Sequence, residues 1–310
     1  MKRGYIMFLH NNRELFLETV YTTANELGLP VPIIEKDYYV TMILKLLVEK
    51  EPNCVFKGGT SLSKCHHVIE RFSEDIDIAF SEQLTQGQRK KLKNKTIAEI
   101  RDILGLSITD WNNTRSRRDY NCYTFAYEAL DGFISNHLVQ GVKMEVVLSS
   151  ISFQTVIMDV DSYIYRFLAK DNMNIIEEYA LEPFAMTIQS LEKTLVDKVF
   201  AVCDYYLQGK THRYSRHIYD IYMLLPQVPQ DNNFKELVKL VRAHRSKMDM
   251  CPSALAGVSI PELLNEIIVK KVYQKDYMDI TTYFQNKPVA YEIVIEALRE
   301  IADSDIFVED

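Results

Sequence analysis

The sequence predicts an α+β fold in which a mixed sheet core lies between helices at both ends of the chain. Apolar residues recur at helical spacing through the first fifty residues. The middle of the chain is rich in β-branched and aromatic residues, and long amphipathic segments follow it. We therefore expect N-terminal helices packing on the core at 1–50, a core at 51–160 and a C-terminal helical domain at 161–310.

The amino-acid composition argues against several classes of protein. The 310 residues are 47% hydrophobic, carry a net charge of -7 and contain no run of 18 apolar residues. A membrane span and a signal peptide are therefore not expected, and we predict a cytoplasmic protein. The five cysteines are scattered without a CxxC pair, which argues against disulfides and structural zinc.

Basic residues are concentrated in three runs despite the negative total. A net acidic protein is not expected to coat nucleic acid nonspecifically. Each run is typical of a solvated face, and together the runs are also compatible with phosphate-contacting patches. The runs are Arg89, Lys90, Lys91, Lys93 and Lys95; Arg115, Arg117 and Arg118; and Arg242, His244, Arg245 and Lys247.

The individual elements are predicted in chain order from the spacing of apolar residues. Helices are expected at 15–29 and 35–49, with a break at Pro30 and Pro32. A short apolar segment at 54–56 comes next. It is followed by a helix at 61–71, a strand at 76–80, a polar helix at 83–104 and strands at 120–127 and 142–148. Helices are then predicted at 187–207, 215–225, 234–244, 260–273 and 291–302.

Two adjacent glycines, Gly58 and Gly59, lie where a predicted strand gives way to a helix. Without Cβ atoms the backbone can take positive φ and approach a ligand closely. The amides at the start of the following helix point outward as donors, and such a turn suits a polyphosphate. The hydroxyls of Thr60 and Ser61 either donate to such a ligand or cap the helix.

Two acids follow at alternate positions of a predicted strand. If Asp75 lies in the strand with Asp77, both carboxylates project from one face and repel each other unless a cation lies between them. Magnesium is a hard cation that takes oxygen ligands. The apolar residues Ile76 and Ile78 point into the core and set the register of the acids. The alternative is a loop acid followed by a solvent-facing strand residue. The glycine pair upstream favours a nucleotide-metal site.

The glycine turn and the acidic strand together resemble the motif of a known superfamily. GGTSLSK followed by RFSEDIDIAF resembles the signature of the nucleotidyltransferase superfamily, whose fold is shared by DNA polymerase β and poly(A) polymerase. More narrowly, the chain resembles the AbiEii/AbiGii toxin family, which includes the MenT toxins. The segments that carry this resemblance are IIEKDYYVTMILKLL, FKGGTSLSK, RFSEDIDIAF, LVDKVFAV and SRHIYDIYML. The resemblance implies a polymerase β-like nucleotidyltransferase core.

The resemblance also implies roles for particular residues. It assigns magnesium, or manganese as an alternative, to Asp75 and Asp77, with a nucleoside triphosphate as substrate. The implied catalytic residues are Asp75, Asp77, Glu145, Lys198 and Asp220. The implied nucleotide-binding residues are Lys57, Gly58, Gly59, Thr60, Ser61, Lys64 and Ser73.

Three of these assignments leave alternatives open. Glu145 in KMEVVL is either a third catalytic acid or a strand residue exposed to water. Lys198 in LVDKVFAV either neutralises charge on the transferred nucleotide or packs its stem on apolar neighbours, and Lys193 is the weaker candidate for the role. In SRHIYDIYML, His217 stands where the family has an aspartate. Asp220 is either an active-site residue or part of a buried pair with Arg216 or Lys198.

The predicted reaction is attack of an acceptor hydroxyl on the α-phosphate of the nucleotide, with pyrophosphate leaving. The resemblance implies an RNA acceptor, in some members the 3′ end of tRNA, and a cognate antitoxin protein. No membrane or DNA partner is expected. Protein nucleotidylation at the same site is one alternative function. A non-catalytic nucleotide-binding regulator is another.

Overall fold

The computed structural model describes residues 7–130, 140–151, 153–285 and 287–308. The chain forms two compact units. The first comprises Met1–Cys65 and Glu74–Ile188, and the second His66–Ser73 and Gln189–Asp310. This division follows spatial proximity, and the predicted domain boundaries after residues 50 and 160 stay predictions.

The first unit begins with two helices. Helix α1 (Arg13–Leu27) ends at Gly28, and helix α2 (Val31–Lys50) begins directly after Pro30. Pro32 lies in the first turn of α2, which suits a helix start because amide groups there have no intrahelical acceptor. The remaining helices of this unit are α3 (Gly58–Lys64), α4 (Gln86–Lys91), α5 (Ala98–Ile103), α6 (Tyr163–Leu168) and α7 (Met173–Glu178).

Within the described residues of the first unit, seven strands form one sheet with the order β3-β4-β5-β2-β1-β7-β6. The pairs β1/β7 and β2/β5 are parallel, whereas β1/β2, β3/β4 and β4/β5 are antiparallel. The predicted α+β fold with a mixed sheet is therefore confirmed. The strands are β1 (Cys54–Lys57), β2 (Ile76–Phe80), β3 (Ser107–Ile108), β4 (Tyr120–Ala126), β5 (Val142–Ile151), β6 (Thr155–Val160) and β7 (Phe184–Gln189).

The predicted helix at 61–71 is wrong in its bounds. Helix α3 starts at Gly58, so the glycines form its first turn, and it ends at Lys64. Cys65 caps its C-terminus, and His67 has a φ of 54°, which lies outside the right-handed helical region. The segment 66–73 consequently leaves the first unit instead of continuing the helix.

Two further predicted helices need correction. The segment 187–207 combines the end of strand β7 with helix α8 (Leu191–Leu207), because the Ser190 hydroxyl accepts a hydrogen bond from the Lys193 amide and starts the helix there. The polar segment 83–104 begins as helix only at Gln86. It passes through a π-helical stretch at Leu92–Ile97 before α5.

The second unit is helical. After α8 it contains α9 (Arg216–Leu224), α10 (Asn232–Arg245), α11 (Ile260–Lys270), α12 (Gln274–Asp279) and α13 (Tyr291–Asp303). The segment 66–73 belongs to this unit because the Phe72 amide donates to the Phe284 carbonyl at 2.8 Å, and Arg71 forms a β-bridge with Gln285. No helix in the described ranges is both long enough and apolar enough to cross a membrane.

Candidate active site

Gly58 lies where strand β1 passes into helix α3, and its φ is 77°. A Cβ atom at this position would collide with Oδ2 of Asp77 and lie 2.8 Å from its Cγ. L side chains rarely adopt this φ. Glycine is therefore required at position 58 by the backbone conformation and by the carboxylate that fills the adjacent space.

Asp77 and Glu145 lie side by side on neighbouring strands. The parallel pairing of β2 with β5 places these two residues directly opposite each other, and neighbouring strands are about 4.8 Å apart. Both acids are half-buried. Their strand neighbours are buried, so the acids project from the opposite face of the sheet. These buried neighbours are Ile76, Ile78, Met144 and Val146.

Asp75 precedes strand β2 instead of lying within it, since the strand begins at Ile76. Its backbone carbonyl accepts a hydrogen bond from the Thr60 hydroxyl at 2.5 Å. This contact joins the loop that carries the first acid to the helix that carries the glycines. The sequence left open whether Asp75 lies in the strand or in the preceding loop. It lies in the loop, where its position depends on a tertiary contact.

Lys143 lies beside the acids and was missed in the sequence. Its Nζ atom is 3.6 Å from Oε1 of Glu145. Partial burial opposes the charged lysine, but the charges of Glu145 and Asp75 outweigh burial and raise its pKa. The signal in the sequence was its spacing, because a residue two positions before Glu145 on a strand projects from the same face.

Tyr120 and Cys122 complete this face from strand β4. Cys122 is the cross-strand partner of Glu145. Burial, followed by the charge of Glu145, raises the pKa of the Tyr120 hydroxyl, which is also hydrogen-bonded to Glu145. Burial also raises the pKa of the Cys122 thiol to about 11, so this thiol is protonated at neutral pH. Around Glu145 the sheet therefore presents an acid, a lysine, a phenol and a thiol.

The predicted nucleotide-binding residues of the first unit differ in what their side chains contact. Thr60 and Ser61 are buried. The Ser61 hydroxyl donates to the Gly58 carbonyl at 2.9 Å and supports the turn, whereas the Thr60 hydroxyl donates to the Asp75 carbonyl. Lys64 is also buried. Its Nζ atom donates to Oδ1 of Asp37 at 2.5 Å and to the Asp161 carbonyl at 2.9 Å. Gly59 is buried and Lys57 is half-buried. Their roles in nucleotide binding stay predictions.

The remaining predicted residues, Ser73, Lys198 and Asp220, belong to the second unit. Asp220 is fully buried and accepts from Nε and Nη2 of Arg71, both at 2.7 Å. Its Oδ2 atom lies 2.6 Å from Nζ of Lys198. Burial opposes the charged carboxylate, but Arg71 and Lys198 outweigh burial and hold the pKa of Asp220 well below its ordinary value.

Of the two pairings considered for Asp220, the one with Lys198 is present. The second cation on Asp220 is Arg71, and nothing in the sequence pattern pointed to it because it lies 149 positions away. His217 stacks on Tyr205, with ring centroids 5.6 Å apart. Burial, then the charges of Lys198 and Arg216, lower the pKa of His217 well below 6.5. This histidine is therefore neutral at pH 7.

The basic runs are not uniform surface patches. Arg89 is buried and pairs with Asp119 at 2.7 Å, and Arg245 pairs with Asp204 at 2.6 Å, so these two arginines serve the fold. The run at 115–118 differs, because its three arginines are exposed: Arg115, Arg117 and Arg118. In the described part of the chain, no group of three or more His, Cys, Asp or Glu side chains is arranged to hold a metal.

Comparison with known proteins supports the fold. Five chains of solved structures match, among them MenT4, a nucleotidyltransferase toxin from Mycobacterium tuberculosis H37Rv. The match has a TM-score of 0.58 at 15% identity and covers 94% of this chain and 90% of MenT4. At this identity the likeness shows a shared fold. No curated protein matches the sequence.

A family model gives the more specific result. Residues 44–285 match the family described as nucleotidyl transferase AbiEii toxin, type IV TA system. The matched range contains the glycine turn, both acids of the DxD motif, Glu145, Lys198 and Asp220. Because it also covers well over half of the chain, this protein belongs to the AbiEii nucleotidyltransferase toxin family.

Proposed function

We propose that this toxin transfers a nucleoside monophosphate from a nucleoside triphosphate to a hydroxyl of RNA in a magnesium-dependent reaction. The observation that carries the proposal is the packing of the Asp77 carboxylate against Gly58, with Glu145 in register beside it. The acid expected to hold the metal and the turn expected to hold the phosphates therefore meet at one point. A nucleotidyltransferase needs this proximity because the metal and the phosphates form one complex.

The residues present fit a magnesium ion that is bound together with a nucleotide. Magnesium is usually held by one or two carboxylates, while water and substrate phosphates complete its shell, so a closed protein cage is not required. Asp75 and Asp77 would supply the carboxylates, and manganese would suit the same oxygen donors. When bound, the metal stabilises the developing charge on the attacking and leaving oxygens.

The chain's own residues would assist the bond changes. The acceptor oxygen forms a bond to the α-phosphorus, the bond from that phosphorus to the bridging oxygen breaks, and pyrophosphate leaves. Glu145 would accept the proton of the acceptor hydroxyl. Lys143, 3.6 Å from Glu145, balances the charge of this acid before substrate arrives. Lys198 and Asp220 are proposed to act on the phosphates, on the strength of the family resemblance.

An RNA acceptor, in particular the 3′ end of tRNA, is supported by one feature beside the site. The exposed arginines at 115–118 lead directly into strand β4, whose first residue Tyr120 is hydrogen-bonded to Glu145. Exposed arginines next to a catalytic face suit an anionic acceptor. The family also implies an antitoxin partner. We propose that the toxin acts in the cytoplasm, where tRNA and nucleotides are present.

The test is to incubate the purified protein with magnesium, each α-³²P-labelled nucleoside triphosphate in turn, and total cellular RNA and protein. The control is the Asp75→Ala/Asp77→Ala variant. We expect label in a tRNA-sized band that ribonuclease removes, with the wild-type protein only. Label that protease removes would overturn the RNA acceptor in favour of protein nucleotidylation. No label with any nucleotide would favour a binding regulator.

A further inference from the structure

Two consecutive residues of helix α2 form buried ion pairs with the two halves of the nucleotide-metal motif. Nζ of Lys36 lies 2.7 Å from Oε2 of Glu74, the residue immediately before Asp75. Nζ of Lys64, the last residue of helix α3, lies 2.5 Å from Oδ1 of Asp37. One turn of α2 is thus joined both to the loop of the metal acids and to the helix of the glycines.

The Lys36–Glu74 pair is sealed from solvent. The side chains are 2% and 6% exposed. Removing two charges from water is costly, and apolar residues of similar volume often support a fold equally well in place of a buried ion pair. What an ion pair adds is a defined geometry, since the short contact holds only when both side chains occupy particular positions. The pair therefore constrains the position of residue 74 relative to helix α2.

The loop that ends in Asp75 depends on contacts of this kind. Residues 72–75 have no regular secondary structure, and strand β2 begins only at Ile76. The Asp75 carbonyl is held by the Thr60 hydroxyl. The preceding residue is held by Lys36 through its side chain. Asp75 is therefore held by a contact to its own carbonyl on one side and by a contact to the side chain of Glu74 on the other.

We infer that the buried Lys36–Glu74 ion pair sets the position of the Asp75 carboxylate for metal binding, so that Lys36 is a positioning residue of the active site. The inference rests on the proposed magnesium site. Residues that orient metal ligands typically change metal affinity about 10- to 100-fold when they are replaced. If the pair only stabilised the fold, replacing it would leave the metal affinity of the folded protein unchanged.

The test uses the full chain with Lys36→Met and Glu74→Met combined, which replaces both charges by side chains of similar length. Manganese binding is measured by electron paramagnetic resonance on the nucleotide-free protein and again with a non-hydrolysable nucleoside triphosphate analogue, and stability is measured by urea unfolding. The matched control is Lys50→Met/Glu99→Met. This variant removes the ion pair between Lys50 of the same helix and Glu99. The contact distance is 2.6 Å, and the two side chains are more exposed than Lys36 and Glu74. We expect manganese affinity to fall at least about tenfold in the first variant and to stay at the wild-type value in the control.

The outcomes separate this inference from the proposed function. If the wild-type protein binds no manganese either alone or with the nucleotide analogue, the proposed metal site is wrong. If the wild-type protein binds and the Lys36→Met/Glu74→Met variant binds equally well, the positioning role is overturned. Should that variant not fold, Lys36→Met/Glu74→Gln keeps the shape of residue 74 and the net charge of the pair while removing the contact with Lys36. Its manganese affinity is then expected to fall, and an unchanged affinity in this folded variant overturns the inference.

Discussion

The Asp77 carboxylate occupies the space in which a side chain at Gly58 would begin. This contact joins the glycine turn at the end of β1 to the acid of β2, and the ladder between the two strands reinforces it by pairing Lys57 with Asp77. A substitution at Gly58 therefore also displaces the Asp77 carboxylate.

Gly58→Ala should disrupt both the turn and Asp77. A φ of 77° costs an alanine roughly 1–2 kcal/mol, and the collision with Oδ2 also displaces the carboxylate. We expect a loss of nucleotide transfer together with a measurable loss of stability by urea unfolding.

The control is Gly28→Ala. Gly28 has a similar φ of 63°, but an added Cβ there would meet nothing within 4 Å. It should lose a comparable amount of stability from backbone strain and keep full activity. Equal activity in the two variants would show that the contact between Gly58 and Asp77 is not needed for transfer.

Asp77→Asn should abolish transfer without destabilising the metal-free protein. Removing one of two adjacent carboxylates relieves repulsion with Glu145, so the free energy of unfolding in the presence of a chelator should stay equal or rise. Calorimetry with a chelator and the labelled-nucleotide assay give the two readouts.

Asp159→Asn serves as the control, because Asp159 is an exposed aspartate on strand β6 of the same sheet. This variant should be fully active. A marked loss of stability in Asp77→Asn would identify Asp77 as a structural residue instead of a metal ligand.

Lys198→Met should lower kcat about 100-fold or more and change the KM for nucleotide much less, if Lys198 stabilises charge in the transition state. Steady-state kinetics separate the two parameters.

Lys193→Met is the matched comparison. Lys193 lies on the same helix, is similarly buried and forms an ion pair with Asp197 at 2.6 Å, the same distance as the Lys198–Asp220 contact. It should retain its kcat. If both variants lost kcat equally, Lys198 would have the same structural role as Lys193 and no specific role in the transition state.

His217 should make the protein less stable as the pH falls through 6.5. Its folded pKa is lowered by burial and by nearby cations. Below its ordinary pKa of 6.5 the unfolded chain therefore binds a proton that the folded chain does not. This difference costs up to about 1.4 kcal/mol per pH unit. His217→Phe keeps an aromatic ring beside Tyr205 and should flatten the dependence of unfolding free energy on pH between 5 and 7.

His212→Gln is the control for this measurement, because the His212 side chain is 80% exposed. It should leave the pH dependence of the wild-type protein in place. A slope in His217→Phe that matches the wild-type slope would assign the pH dependence to other groups.

Local sequence patterns are sufficient to predict part of the site. Period-two alternation placed Ile76 and Ile78 in the core and Asp77 on the other face, because successive strand side chains point in opposite directions. The adjacent glycines marked a strand-to-helix turn, and the motifs identified the family. These features are encoded over a few neighbouring residues. Strand β7 was missed because no signal separated it from the helix that begins just after Ser190.

Which charged residues pair with one another depends on the tertiary packing. Asp37 with Lys64, Lys36 with Glu74 and Arg71 with Asp220 are separated by 27, 38 and 149 positions. No periodicity relates such partners, since their pairing depends on how helices and strands pack. The same holds for Glu145, whose place beside Asp77 follows from the order of strands in the sheet. A buried ion pair forms only where packing brings both partners together and excludes water, and that condition is a property of the whole fold.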